Sequence, residues 1–91
     1  MIRRPILVEN RLGLHARAAA KLVQLTSRFR SEIHLSREEE QQQIDGKSIL
    51  GILKLGAGRG ARLVVTVIGP DEMDAASAIE LLFHTKFGEE S

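Results

Sequence analysis

Seven short segments of alternating character run along the chain in the order βαββαβα, and at 91 residues they can share only one core. That order at that length constrains the fold more than any single residue does. The clearest segment is Arg62 to Ile68 (Arg-Leu-Val-Val-Thr-Val-Ile), whose β-branched side chains suit a strand. Pro5 to Glu9 is a second, apolar strand candidate, followed by a turn over Asn10 to Gly13. Glu32 to Ser36 places Ile33 and Leu35 on one face, and after the charged turn Arg37 to Glu40, Gln41 to Ile44 reads as a polar edge strand closed by Asp45-Gly46.

Helical spacing fills the intervals. Ala16 to Phe29 sets Ala19, Leu22, Val23, Thr26 and Phe29 along one side, and Lys47 to Leu55 is a short helix stopped by Gly56, with a loop to Gly60. After Gly69-Pro70-Asp71 a last helix carries Ala75, Ile79, Leu82 and Phe83 on one face, with Lys86 in its final turn and Gly88 as terminator. Isolated strand pairs are not stable in water, so the strands belong in one sheet. The expected fold is α+β: a βαββαβα open-faced sandwich, a four-stranded antiparallel sheet with three helices on one face, forming a single domain over residues 1–91.

Composition narrows what such a domain can do. Hydrophobic residues at 43% and charged residues at 27% suit a folded chain, and a net charge of +1 gives no general attraction to nucleic acid or to acidic membranes. With three Phe and no Trp or Tyr there is no stacking platform for single-stranded nucleic acid. Cys is absent, which removes disulfides, thiolate metal sites and cysteine nucleophiles. No apolar run has the length of a membrane span and the N-terminus lacks the apolar core of a signal peptide, so a cytoplasmic protein without membrane insertion is expected.

Chemistry concentrates at Asn10-Arg11-Leu12-Gly13-Leu14-His15-Ala16-Arg17. His15 stands where a strand-like run gives way to a helix, so its imidazole, a nucleophile near neutral pH, meets the free N–H groups and partial positive charge of a helix start. Arg17 adds a planar, permanently charged donor set matched to phosphate oxygens. Reversible phosphorylation of His15 is the simplest chemistry that uses all three. No paired carboxylates, metal-ligand cluster or nucleophile–base set accompanies the histidine, and no metal or cofactor is expected. His34 in the second strand and His84 near the end of the last helix lack partners at ligand spacing and are expected to be structural. The Gly56 to Gly60 stretch lacks the Lys-Ser/Thr ending of a phosphate-binding loop and reads as a connection.

The short second helix holds more apolar residues than one buried face can absorb. If Ile52 and Leu55 point inward, Ile49, Leu50 and Leu53 are left at least partly exposed, a patch suited to transient partner docking; the alternative is a core that wraps further round the helix. Ser48 begins that helix, either satisfying backbone donors there or serving as a modification site.

The histidine loop and the later stretch Gly46-Lys47-Ser48-Ile49-Leu50-Gly51-Ile52-Leu53-Lys54-Leu55-Gly56, in register within one small domain, closely resemble the histidine-containing phosphocarrier (HPr) family of the bacterial phosphotransferase system over essentially the whole chain. The resemblance implies that His15 accepts a phosphoryl group on Nδ1 from the phosphoenolpyruvate-dependent enzyme I and passes it to an enzyme IIA-type protein. It also implies that Arg17 steadies that group, that Ser48 matches a serine modified by a dedicated HPr kinase/phosphorylase in some bacteria, and that the protein turns over nothing alone. One position departs: the family usually has proline after the site arginine, where Ala18 stands here, which bears on loop rigidity and transfer rate. The Ala16-Arg17-Ala18-Ala19-Ala20 run, the Gly69-Pro70-Asp71-Glu72 opening of the last helix and the Phe87-Gly88-Glu89-Glu90 tail are more similar to the nitrogen-related regulatory branch than to the sugar-transport branch.

Two functions of different class follow: a monomeric phosphoryl carrier, or a non-catalytic regulatory or partner-binding module on the same scaffold. His15 separates them, because regulatory relatives of the family lack that histidine.

Overall fold

A computed structural model describes residues 1–89; Glu90, the end of the tail stretch singled out above, lies outside them. Four strands, β1 (Ile2–Leu7), β2 (Glu32–Arg37), β3 (Ile44–Asp45) and β4 (Arg62–Ile68), form one antiparallel sheet in the order β1-β4-β2-β3. Helices α1 (Ala16–Thr26), α2 (Ile49–Lys54) and α3 (Glu72–His84) cover one face, and a 3₁₀ turn over Lys86–Gly88 follows. The sandwich read from the sequence is the fold observed.

β4 lies at the centre, paired with β1 through Ile6↔Leu63 and with β2 through Leu35↔Val65 and Ile33↔Val67. Ile6, Ile33, Leu35, Leu63, Val65 and Val67 point to the helices and are buried against Ala19 and Leu22 of α1, Ile52 of α2, and Ala75, Ile79 and Phe83 of α3. Burial at roughly 25 cal/mol per Å² of apolar surface supplies the driving force in a core that is almost entirely aliphatic.

Several boundaries differ from expectation for identifiable reasons. β1 starts at Ile2 rather than Pro5 and stops at Leu7 rather than Glu9, because Ile2↔Val67 and Arg3↔Thr66 keep the ladder running through two arginines. α1 ends at Thr26, whose hydroxyl donates to Gly46 O at 2.8 Å, and Phe29 packs half-buried beyond the helix. β3 is an edge strand as expected but has only two residues, since just Leu35↔Ile44 and His34↔Asp45 pair; Gln41, Gln42 and Gln43 are exposed and have no apolar side to bury. Lys47 lies outside α2 and sends its Nζ to Phe29 O at 2.7 Å. Arg37, read as a turn residue, ends β2 and donates to Leu55 O and Gly56 O, placing a cation on the free carbonyls at the end of α2.

The last departure concerns the C-terminal segment. Lys86 is not in the final turn of α3, which ends at His84; Lys86 and Phe87 both have φ of +57°, and Gly88 continues at +76°. Left-handed backbone costs a non-glycine residue about 1–2 kcal/mol. It is held here because Phe87 is buried against Phe83, edge to face with ring centres 4.9 Å apart, and because Lys21 Nζ donates to Phe87 O at 2.6 Å.

Candidate functional site

The chain leaves β1, turns, and enters α1 at His15, which is the N-cap residue with extended backbone (φ −74°, ψ 178°) and no side-chain bond back to the helix. The first intrahelical bond runs from Ala19 N to His15 O at 2.8 Å, so the N–H groups of Ala16, Arg17 and Ala18 precede it, and the first turn contains no acidic residue. The turn before it is tightly held: Gly13 N donates to Asn10 O, Asn10 Nδ2 donates to Gly13 O at 2.8 Å, and Leu14 N donates to Ala57 O at 2.9 Å. Gly13 has φ +67°, and a Cβ there would lie 2.6 Å from Ala57 O, so this position needs glycine twice over.

The His15 side chain keeps 26% of its surface exposed at an open cleft of about 840 Å³. Arg11, Arg17 and Lys21 line that cleft with His15, and Glu89 returns from the far end of the chain to join them. Glu89 Oε2 lies 2.8 Å from His15 Nε2, while Glu89 Oε1 accepts from Asn10 Nδ2 at 3.1 Å. Asn10 is fully buried, and both of its amide-side neighbours are acceptors, which fixes its Nδ2 toward them. Its Oδ1 finds no donor among the described residues. The bond with His15 is the main reason the Glu89 carboxyl sits below the usual carboxylate range; partial burial opposes the shift, and the Asn10 bond and the Lys21 charge reinforce it.

Of the residues selected from sequence, His15 and Arg17 share the cleft, and Arg17 is exposed with no hydrogen bond or ion pair among the described residues. Ser48 is not inside α2 but is its N-cap, accepting from Gly51 N at 3.1 Å, so the backbone-satisfying role is real. On α2, Ile52 is fully buried, while Ile49, Leu50 and Leu53 are 41%, 72% and 38% exposed. Ser48 and these three exposed residues lie outside the lining of the His15 cleft, although the loop after α2 is tied to the residue before His15 through Leu14 N donating to Ala57 O. His34 sits half-buried in β2, and His84 is exposed with its Nδ1 3.6 Å from Glu9 Oε2, a partner far off in sequence that spacing could not reveal. Sequence reasoning misses Glu89, Asn10 and Lys21. Asn10 belongs to the histidine motif and Glu89 to the tail stretch, but no periodicity links the tail to a histidine 74 residues away.

An open-faced sandwich that presents one imidazole, three cations and a helix start to a single cleft suits a small carrier domain for an anionic group. The family model for the PTS HPr component phosphorylation site matches residues 2–85. The phosphocarrier protein HPr of Treponema pallidum is 48% identical over 90 residues, covering 99% of this chain and 100% of its own length. That of Cupriavidus necator is 44% identical over 89 residues and 98% of both chains. The crystal structure of HPr-C-His from Thermoanaerobacter tengcongensis superimposes with a TM-score of 0.93 at 38% identity over 100% of both chains. HPr of the same organism has also been solved as a dimer, which matches with a TM-score of 0.76 over 98% of this chain and 100% of that one. The chain belongs to the HPr family and is a phosphocarrier of the phosphotransferase system.

Proposed function

We propose that His15 is the residue that carries the phosphoryl group, on Nδ1, taking it from the phosphoenolpyruvate-dependent enzyme I and giving it to an enzyme IIA-type protein. The observation that carries this reading is the placement of His15 as the N-cap of α1, partly exposed, with Nε2 engaged by Glu89 and the opposite nitrogen left for reaction. Arg17, exposed and free of other ion pairs among the described residues, is the group that neutralises the phosphoryl oxygens once they arrive, with Arg11 and Lys21 adding charge around the cleft. Electrostatic stabilisation and positioning are what phosphoryl transfer asks of a protein.

Docking is assigned to Ile49, Leu50 and Leu53, whose exposure on α2 supplies a small apolar patch. Ser48 at its edge is the candidate regulatory site for a serine kinase/phosphorylase, since a phosphate there would stand at a helix start beside that patch. The carrier acts as a monomer in the cytoplasm, and among the described residues no helix is long and apolar enough to cross a membrane. The Ala16-Arg17-Ala18-Ala19-Ala20 run, the Gly69-Pro70-Asp71-Glu72 opening of α3 and the Phe87-Gly88-Glu89-Glu90 tail support placing it in the nitrogen-related regulatory branch. Incubation with enzyme I and phosphoenolpyruvate followed by intact mass tests the reading. One added phosphate that is acid-labile and base-stable is expected on the protein and absent from His15→Ala; a protein that stays unmodified refutes it.

A further inference from the structure

A histidine that cycles through a phosphoryl adduct on one ring nitrogen has to keep its proton on the other. Forming the adduct, the Nδ1 lone pair makes an N–P bond while the bond from phosphorus to the donor's leaving atom breaks and its electron pair departs with the donor. No proton leaves the ring. The ring takes up positive charge, balanced by the phosphoryl oxygens, and when the group moves on the N–P electron pair returns to Nδ1. The Nε2 proton is therefore a constant of the cycle, and a group that faces it in every state serves both directions of transfer.

Glu89 is that group by geometry. An ionised carboxylate only accepts, so the 2.8 Å contact makes Nε2 the protonated nitrogen and leaves the lone pair on Nδ1. The carboxylate is aimed from two sides. Its second oxygen is tied at 3.1 Å to Asn10, a fully buried side chain that is itself fastened to the histidine turn through Gly13 O. Its backbone arrives through the left-handed Lys86–Gly88 turn, pinned by buried Phe87 and by Lys21 Nζ on Phe87 O. Strained backbone of this sort persists only where the surroundings over-determine it, and here the strain delivers one carboxylate to one ring nitrogen.

We propose that Glu89 is a positioning residue of the phosphohistidine site: held by Asn10 and by the Phe87-anchored strap, it keeps the proton on His15 Nε2, directs the phosphoryl group to Nδ1 and faces the positive charge the ring acquires. The inference rests on His15 being the carrier, and it adds a role for a residue 74 positions away. Removing Glu89 frees Nε2 as a competing nucleophile; an amide in its place still offers a carbonyl acceptor to Nε2–H while withdrawing the charge.

The test uses a small chemical phosphoryl donor, so that partner docking plays no part. The full-length protein and its Glu89→Ala and Glu89→Gln variants are treated with phosphoramidate, and the two phosphohistidine isomers are resolved by phosphorus NMR. The parent is expected to form the Nδ1 isomer alone, Glu89→Gln to keep that preference, and Glu89→Ala to give the Nε2 isomer as well. In parallel, transfer from enzyme I and phosphoenolpyruvate is expected to slow on the order of tenfold in Glu89→Ala, with Glu89→Gln between it and the parent. An unchanged isomer ratio in Glu89→Ala overturns the proposal. Failure of enzyme I to label the parent instead overturns the carrier reading, while the isomer ratio still reports on Glu89 independently.

Discussion

Replacing Gly13 by alanine separates two costs that usually arrive together. At φ +67° any side chain pays the left-handed penalty, about 1–2 kcal/mol. At Gly13 the new Cβ would also stand 2.6 Å from Ala57 O and 2.7 Å from Gly58 Cα, both backbone atoms that cannot rotate away. Forcing such a contact apart costs roughly 1–3 kcal/mol more, because the loop after α2 must retreat and strain the Leu14 N to Ala57 O bond. The sum is about 2–5 kcal/mol. Gly56 provides the internal control: its φ is +59°, yet a Cβ added there would meet nothing within 4 Å, so Gly56→Ala should cost only about 1–2 kcal/mol. For a chain of 91 residues the unfolding entropy is roughly 0.19 kcal/mol/K, which turns these values into Tm losses of about 10–26 °C and about 5–10 °C. Calorimetry on both variants measures the difference, and enzyme I transfer assayed well below each Tm measures the function. Gly13→Ala should also transfer slowly, since its turn carries Asn10 and His15, whereas Gly56→Ala should transfer normally. Equal Tm losses for the two would refute the close-approach argument.

Other expectations rest on the same contacts. His15→Ala should take up no phosphate from enzyme I while melting within a few degrees of the parent, because the side chain makes no cap bond and its one contact, with Glu89, is a partly exposed pair of the kind that contributes about 1 kcal/mol or less. Arg17→Ala should slow transfer and shorten the life of the phosphoryl adduct by the equivalent of about 1.5–3 kcal/mol, read from single-turnover rates and adduct decay. Ser48→Ala loses the bond to Gly51 N and should cost about 1 kcal/mol in denaturant melts, whereas Ser48→Asp keeps a capping oxygen and should instead weaken phosphorylation by enzyme I. Asp71 accepts hydrogen bonds from Ser31 Oγ, Arg30 N and Ser31 N, which hold its carboxyl below the ordinary value. Its contribution is present above the unfolded carboxylate pKa of about 3.9 and is lost as pH falls through the lowered folded value. The stability gap between parent and Asp71→Asn should therefore close in acid; a gap constant from about pH 7 to about pH 2 would refute the assignment.

What could be read from sequence was whatever a local period announces. β4 was found residue for residue because a strand paired on both sides is apolar along its length. The start of α1 at Ala16 was found because its buried face, Ala19, Leu22 and Thr26, repeats at helical spacing. The sequence does not mark the start of β3, because Gln41 to Gln43 have neither period and only the backbone of β2 decides where such an edge stops. Crowding shows that α2 must leave some apolar residues exposed, since six helical residues cannot bury Ile49, Leu50, Ile52 and Leu53 together; that Ile52 is the one turned inward is set by tertiary packing. The tail was illegible for a different reason. Nothing local says that a non-glycine residue such as Phe87 adopts φ +57°; that conformation is imposed by burial against Phe83, which is tertiary.

Ala18 shows how the local and tertiary contributions combine. Where the family resemblance implies proline after the site arginine, a ring would preset the first turn of α1 and remove one N–H. Ala18 is fully buried and sets nothing by itself, so rigidity has to come from elsewhere. It comes from four restraints converging on residues 10–15: Gly13 N on Asn10 O, Asn10 Nδ2 on Gly13 O, Leu14 N on Ala57 O, and Glu89 on His15 Nε2. They draw on three different parts of the chain, the turn itself, the loop after α2, and the C-terminal strap. A proline would stiffen the backbone on one side of His15 only, and would leave the imidazole free to rotate; the carboxylate restrains the ring. The N–H that alanine retains stays among the free donors at the start of α1, a place that favours an anion. In this chain the histidine is thus held through its ring and its preceding turn rather than through the residue after the arginine.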